Sequence, residues 1–328
     1  MAFFPAVKDN HLSRFVAEKY LHGIATVFML HRVEEVGYPK ITPNEDLKVS
    51  PAYLEQVICQ LKAKHYSFVS LDELWSVLAQ RKTARKLVVF TLDDGYRDNL
   101  THALPLFSAL GVPFTVYIAN SFPNRTAHLW WYGLEKIVRE NQQVTLRNGG
   151  FFHCRTNQEK WNAFLNLRTA FLGGQLTPEE LSTMTDFADT GNLCLNWEEL
   201  ARLSANPLVT IGAHTMSHPA LSSLPETEMV AEMELSRREL EAKLNRKVEH
   251  FAYPFGEKGQ AGQREFEAAR TLGFKTAVTT RKGHIFPEHK DFLTALPRIY
   301  LYENGMRLDK QLFGNVSWNN KLKRAITA

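Results

Sequence analysis

The sequence predicts an α/β fold whose parallel sheet is closed, or nearly closed, into a barrel. Three observations carry this. Apolar runs of strand length alternate with helix-length amphipathic stretches along most of the 328 residues. The run Leu87, Val88, Val89, Phe90 is apolar at every position, which suits a strand buried on both faces beneath helices. Finally, three polar clusters each follow an apolar strand at once: Asp93-Asp94-Gly95, His214 to His218, and Tyr253-Pro254-Phe255-Gly256. The C-terminal ends of strands are where such folds place their chemistry.

Taken in order, residues 9–22 predict a short amphipathic helix, with Leu12, Phe15, Val16, Tyr20 and Leu21 on one side. Ile24 to Leu30 is the first strand, ending at His31-Arg32-Val33. Ser50-Pro51 supplies an N-cap and a first-turn proline for a helix over 51–64. Ser70 with Glu73 forms a capping box that opens the next helix. After the buried strand at 87–92, a helix over about 98–110 is stopped by Gly111 and Pro113. The strand Pro113 to Ala119 then completes a βαβ unit, whose crossover is right-handed.

Residues 120–196 interrupt the rhythm. They hold Trp130-Trp131-Tyr132, a helix-like stretch from Leu134 to Asn141, the turn-prone Asn148-Gly149-Gly150, and a helix start at Thr177-Pro178. This reads as an insertion within one domain spanning 1–328. Its aromatics either wall a groove or pack the insertion down. The alternation resumes at Asn196, capped with Glu199, and strand 208–213 runs into His214. A surface helix over 226–245, a strand ending in Pro254, a helix over 262–272 and strands over 274–280 and 296–301 follow. The tail Asn319 to Ala328 is basic and is expected to fray.

Composition excludes several classes. At 44% hydrophobic and 23% charged, the chain has ample material for a core. A net charge of +4 is compatible with acidic substrates or peripheral membrane contact and demands neither. No basic run is interleaved with aromatics, so no nucleic-acid role is expected. Cys59, Cys154 and Cys194 are far apart with no CxxC, which gives neither a disulfide framework nor a thiolate metal site. No leader pattern opens the chain and no apolar run approaches the roughly 18 residues of a membrane span. The expectation is a soluble, cytoplasmic protein; composition does not set its oligomeric state.

The clusters point to metal chemistry. Two adjacent carboxylates repel unless a cation or a proton relieves them. Neighbours on a strand point to opposite sides, but a turn after Asp93 could swing both into one pocket. Two imidazoles in a His-x3-His spacing can reach one ion, and a carboxylate can complete a set with open positions. Among twelve histidines that spacing is only moderately specific. It gains weight at a strand end, before Pro219, in a chain with Asp-Asp-Gly at another strand end.

The stretches TLDDGY, HTMSHP and YPFG, in this order, resemble the polysaccharide deacetylase family (the NodB-type domain of carbohydrate esterase family 4). The likeness extends over about 24–120 and 195–300. It implies a distorted seven-stranded (β/α) barrel and divalent-metal-dependent removal of N- or O-acyl groups from sugars. By position, it implies that Asp94, His214 and His218 hold one divalent ion, with zinc expected first and Co, Ni, Mn or Fe as alternatives. Asp93 would be the general base. Tyr253, Pro254 and Phe255 would form the substrate and oxyanion motif, with a backbone N–H near Phe255 as donor. Thr215 matches a hydroxyl residue that shapes the histidine loop, or is a plain turn residue.

Two departures stand out. The family's third motif carries an Arg two residues before its Pro, where this chain has Ala252; Arg298 is either its replacement or a surface arginine. No late Leu-x-His motif supplies an acid after YPFG. The first strand, VFMLHRV, resembles that motif instead and offers His31, as in the permuted poly-N-acetylglucosamine deacetylase branch. His284 is the reserve acid, and His102 is expected at the surface. The reading is a metal-dependent deacetylase acting on an N-acylated sugar of a glycan or glycan precursor. Its alternatives are a same-fold C–N hydrolase on a non-sugar amide and a catalytically silent glycan-binding barrel.

Overall fold

The barrel strands are β1 (Ala25–Leu30), β2 (Ser67–Phe68), β3 (Leu87–Leu92), β4 (Phe114–Ile118), β5 (Val209–Ala213), β6 (His250–Ala252), β7 (Thr276–Lys282) and β8 (Leu296–Tyr300). All pair in parallel, in the spatial order β1-β8-β7-β6-β5-β4-β3-β2. Because β1 also pairs with β3 along its whole length, from Ala25↔Leu87 to Leu30↔Leu92, seven strands close a ring. β2 is left as a short addition on the N-terminal end of β3. The ring is distorted at β1, which meets β8 only at Phe28 and Met29, while Ala25 pairs with Ile285 in the antiparallel sense. This computed structural model describes residues 23–82, 84–185 and 190–313. The helix expected over 9–22 and the basic tail lie outside the described residues.

Alternation along each strand sorts the core into two layers, because successive side chains face opposite sides. Val27, Val89, Tyr117, Ala252, Val278 and Leu296 fill the barrel interior. Their neighbours Phe28, Phe90, Val116, Ile211, Phe251 and Ile299 face the surrounding helices. Leu71, Leu74 and Leu78 of the helix Leu71–Ala79 belong to the interior layer, so that helix covers one end of the barrel. Its expected capping box is present: Ser70 Oγ accepts from Glu73 N, and Glu73 accepts from Ser70 N. The same device opens the helix Trp197–Ser204 through Asn196 and Glu199.

The helix expected over 98–110 begins as a π turn, Asn99–Ala103, and becomes α-helical over Leu104–Leu110. Pro105 gives the physical reason. It has no N–H for the helical ladder and its ring crowds the carbonyl four residues back, and a widened turn relieves both. The strand expected over 274–280 starts and ends two residues later, because Phe274 joins the helix-facing layer before the strand begins.

Residues 130–184 build a unit beside the barrel. The helices Trp130–Glu140, Asn157–Leu172 and Pro178–Met184 and the hairpin of Gln143–Thr145 with Phe151–His153 enclose their own core. Leu134, Ile137, Phe164, Leu167 and Leu181 form its centre. Asn44 donates to the Trp131 carbonyl (3.0 Å) and to Glu135 (2.8 Å), and Arg139 reaches Glu45 (3.1 Å). These contacts fix the unit beside the strand ends.

Candidate active site

Alternation in β3 turns Val89, Thr91 and Asp93 inward, and alternation in β8 turns Leu296 and Arg298 inward to meet them. Arg298 Nη1 and Nη2 each lie 2.7 Å from one oxygen of Asp93, the two-pronged arrangement a guanidinium makes best. Nη1 also donates to Thr91 Oγ1 at 3.0 Å, and Nε donates to the Thr279 carbonyl at 2.9 Å. Arg298 is 1% exposed and Asp93 2%, so Arg298 is no surface arginine. Burial pushes the Asp93 carboxyl up, but the charge and hydrogen bonds of Arg298 outweigh this and hold it below its ordinary value.

On a straight strand Asp94 would face outward. Its backbone instead adopts φ 77°, and Gly95 follows at φ 95°, which swings the second carboxylate into the same pocket. Left-handed φ values recur at Thr215 (70°), His218 (63°) and Phe255 (60°). Such residues cost on the order of 1–3 kcal/mol each and persist only where surroundings enforce them. Here the enforcement is visible. Thr215 Oγ1 donates to the His214 carbonyl and accepts from His218 N at 3.0 Å, so its hydroxyl shapes the loop. Glu232, on the helix Glu226–Leu244, accepts from Met216 N (2.8 Å), Ser217 N (3.0 Å) and Ser217 Oγ (2.7 Å). Gly212 is needed just upstream, since a Cβ there would lie 2.3 Å from the Tyr117 ring.

His214 Nε2 and His218 Nε2 each lie 3.4 Å from Asp94 Oδ1. The ligand atoms of all three residues fall within 4.8 Å of one another. His214 Nδ1 is 2.7 Å from the Ala252 carbonyl, which can only accept, so Nδ1 carries the proton and Nε2 of the neutral ring presents a lone pair. Asp94 Oδ1 is buried and has no hydrogen-bond partner. The carboxylate oxygen thus meets the lone pair of the neutral His214 ring, with His218 Nε2 equally close. That arrangement fits a cation, and the Asp/His/His donor set suits a divalent transition metal.

His31 follows β1 with the inward parity of Ala25, Val27 and Met29. Burial lowers its pKa, opposed by the nearby charges of Asp94 and Asp93, so the imidazole shares their pocket. Its ring lies 5.6 Å from that of Tyr300, whose hydroxyl is 3.3 Å from His31 Nδ1. The strand end is held by the π turn: Asn99 Nδ2 donates to the His31 carbonyl (3.0 Å), and Asp98 takes Val33 N (3.0 Å) and Arg32 Nε (2.7 Å). His284 is elsewhere. It sits against Thr26 Oγ1 (2.9 Å) and the Leu312 carbonyl (3.2 Å), beside the first half of β1. His102 is exposed.

The YPFG residues divide. Tyr253 has the outward parity of Phe251, and its buried hydroxyl donates to the Thr294 carbonyl at 2.8 Å in the helix-facing layer. Phe255, two residues on, meets His218 edge to face with ring centroids 5.0 Å apart, and the buried Pro254 links the two. Trp131 also neighbours His218, with ring centroids 6.0 Å apart, and its Nε1 donates to Tyr96 Oη at 3.2 Å. Tyr300 and Glu232 escaped the sequence reading. Tyr300 was open to it, since it shares the inward parity of Arg298; nothing in the sequence pairs Glu232 with the histidine loop.

A family model described as polysaccharide deacetylase matches residues 80–163 and 168–277, together more than half of the chain. Among solved structures, the chain is similar to the Streptococcus pyogenes deacetylase PplD in complex with acetate (19% identity, TM-score 0.59, 85% of this chain and 93% of that one). It is also similar to IcaB from Ammonifex degensii (18%, 0.56, 89% and 95%) and to a de-N-acetylase from Aggregatibacter actinomycetemcomitans (15%, 0.57, 88% and 99%). At these identities the likeness is one of fold. No curated protein matches the sequence. The family match, joined to the barrel and to three motifs at its strand ends, shows that the chain belongs to the polysaccharide deacetylase family.

Proposed function

We propose that the chain is a metal-dependent deacetylase that removes an N-acetyl, or another N-acyl, group from a sugar of a glycan or glycan precursor. The observation that carries this is the division of labour between two adjacent carboxylates. Asp94 faces two imidazole nitrogens across a gap that fits a cation, while Asp93 is turned away from them onto Arg298. A binding protein would have no use for that second, separately held carboxylate. One divalent ion held by Asp94, His214 and His218, with zinc the first choice, would polarise the acyl carbonyl and acidify a water.

The chain's own groups then handle protons. Asp93, kept ionised and aimed by two guanidinium bonds, takes a proton from the attacking water. His31, across the pocket, gives one to the leaving nitrogen as the C–N bond breaks. A backbone N–H beside Phe255 is the candidate donor to the developing oxyanion. Trp131 and Phe255 flank His218 and offer apolar surface for a sugar ring. Relatives described as deacetylases, including one solved with acetate, support an acyl-removing reading. The test is acetate release from N-acetylglucosamine oligomers by the zinc-loaded full chain, with Asp93→Asn as control. No acetate from the wild type on any N-acylated oligosaccharide would overturn the reading.

A further inference from the structure

We infer that Tyr300 is a positioning residue that locks His31 as its Nδ1–H tautomer, so that only Nε2 is available to the substrate. The inference deepens the acid role proposed for His31 and rests on that reading. The observation is a chain of two hydrogen bonds in which one hydroxyl proton must be shared out. Tyr300 Oη is 2.9 Å from the Asp46 carbonyl and 3.3 Å from His31 Nδ1. A carbonyl has no proton to give, so the phenol's single hydrogen goes to Asp46. The phenol oxygen is then left as an acceptor, and the group facing it must be Nδ1–H. Burial keeps Tyr300 protonated throughout the working range.

The surroundings hold both partners in place. Tyr300 stacks on Tyr302 with ring centroids 4.1 Å apart, and β8 pairs with β1 at Met29↔Tyr300. The short helical turn Pro43–Leu47 supplies Asp46, whose carboxylate is tied to Lys40 at 2.7 Å. His31 itself is fixed from behind by Asn99. The imidazole is thus oriented by a neutral phenol, which adds no negative charge to a pocket that already contains Asp93 and Asp94. In the reaction, Nε2–H of the protonated ring goes to the leaving nitrogen as the C–N bond breaks, while Nδ1–H stays bonded to Tyr300. The ring ends neutral as the Nδ1–H tautomer, and Nε2 takes up a proton from solvent before the next turnover.

The experiment is nitrogen NMR of the zinc-loaded full chain labelled with 15N-histidine, with His31 assigned by difference from His31→Gln, in wild type and in Tyr300→Phe. That substitution keeps the ring stacking and removes only the oxygen. The neutral His31 ring of the wild type is expected to carry its proton on Nδ1, and Tyr300→Phe should shift it toward Nε2–H. The same variant should lose roughly tenfold in kcat on an N-acetyl sugar, with KM little changed and a good-leaving-group acetate ester affected far less. Wild-type His31 protonated at Nε2 would overturn the inference, as would a Tyr300→Phe variant with an unshifted tautomer. An unshifted amide rate beside a shifted tautomer would also overturn it. If no acetate is released by any variant, the deacetylase reading fails, while the wild-type spectrum still decides the tautomer.

Discussion

Arg298 and Asp93, 205 residues apart in sequence, meet in two parallel hydrogen bonds of 2.7 Å, both side chains buried in the barrel. Removing one partner leaves the other's charge buried without its counter-ion. Arg298→Met is therefore expected to cost about 3–5 kcal/mol of stability and to disable Asp93 as a base. Lys at 298 should not rescue, since one ammonium cannot match a two-pronged carboxylate contact. Combining Arg298→Met with Asp93→Asn should recover part of the stability and none of the activity. Denaturant midpoints for the three variants check this; an unchanged midpoint in Arg298→Met would contradict it.

The same pair sets a pH dependence. The folded Asp93 pKa lies below its ordinary value of about 3.9, so the native state holds this proton less tightly than the unfolded chain does. Its contribution is therefore fully present above about pH 4 and is lost as pH falls through the folded value. Asp93→Asn should remove that share of the acid slope below pH 4 and leave the slope near neutrality unchanged. Unfolding free energies at stepped pH provide the measurement, and identical acid slopes in both proteins would count against the pairing.

Glu232 touches no metal-facing atom, yet its carboxylate holds two backbone N–H groups between His214 and His218. Glu232→Ala should leave the fold intact and weaken zinc binding by roughly tenfold, as loss of groups that orient ligands commonly does. Glu232→Gln keeps an acceptor oxygen and should fall between. Competition with a chromophoric chelator reads the affinities. Equal zinc affinity in wild type and alanine variant would show that the loop's backbone holds its own shape.

His31 acts as an acid only when protonated, and burial lowers its pKa from the usual value of about 6.5. Turnover of an N-acetyl substrate should therefore decline as pH rises through a value below 6.5. His31→Gln should abolish that alkaline limb and lower the amide rate by about 10²–10⁴, while sparing an activated acetate ester. A variant that loses both substrates equally would remove His31 from the acid role.

Much of this was legible in the sequence, and for reasons that can be stated. The β3 run and the Asp93-Asp94-Gly95 turn could be read because burial on both faces and a left-handed turn each demand particular residues. The capping boxes at Ser70 and Asn196 formed because they are local. Tyr253 and Phe255 stand in one sequence motif, whereas strand alternation sends the Tyr253 phenol to the outer layer. The helix Asn157–Leu172 went unread although Thr156 and Glu159 cap it, because exposed Leu165 and Leu172 blur its buried stripe of Phe164 and Leu167. The partners of His31 and of the histidine loop are set by barrel closure, which brings Tyr300 and His31 together across 269 residues. No local pattern encodes such a contact.

Acetate release from an N-acetylglucosamine oligomer, followed on chelator-stripped chain before and after one equivalent of zinc, tests the central claim most directly. The stripped chain is expected to be inactive and zinc to restore turnover in the wild type. Asp93→Asn should bind zinc and remain slower by about 10²–10⁴, and Asp94→Asn should fail to bind it tightly. Full activity in the stripped wild type, or zinc-restored wild-type turnover in Asp93→Asn, would contradict it.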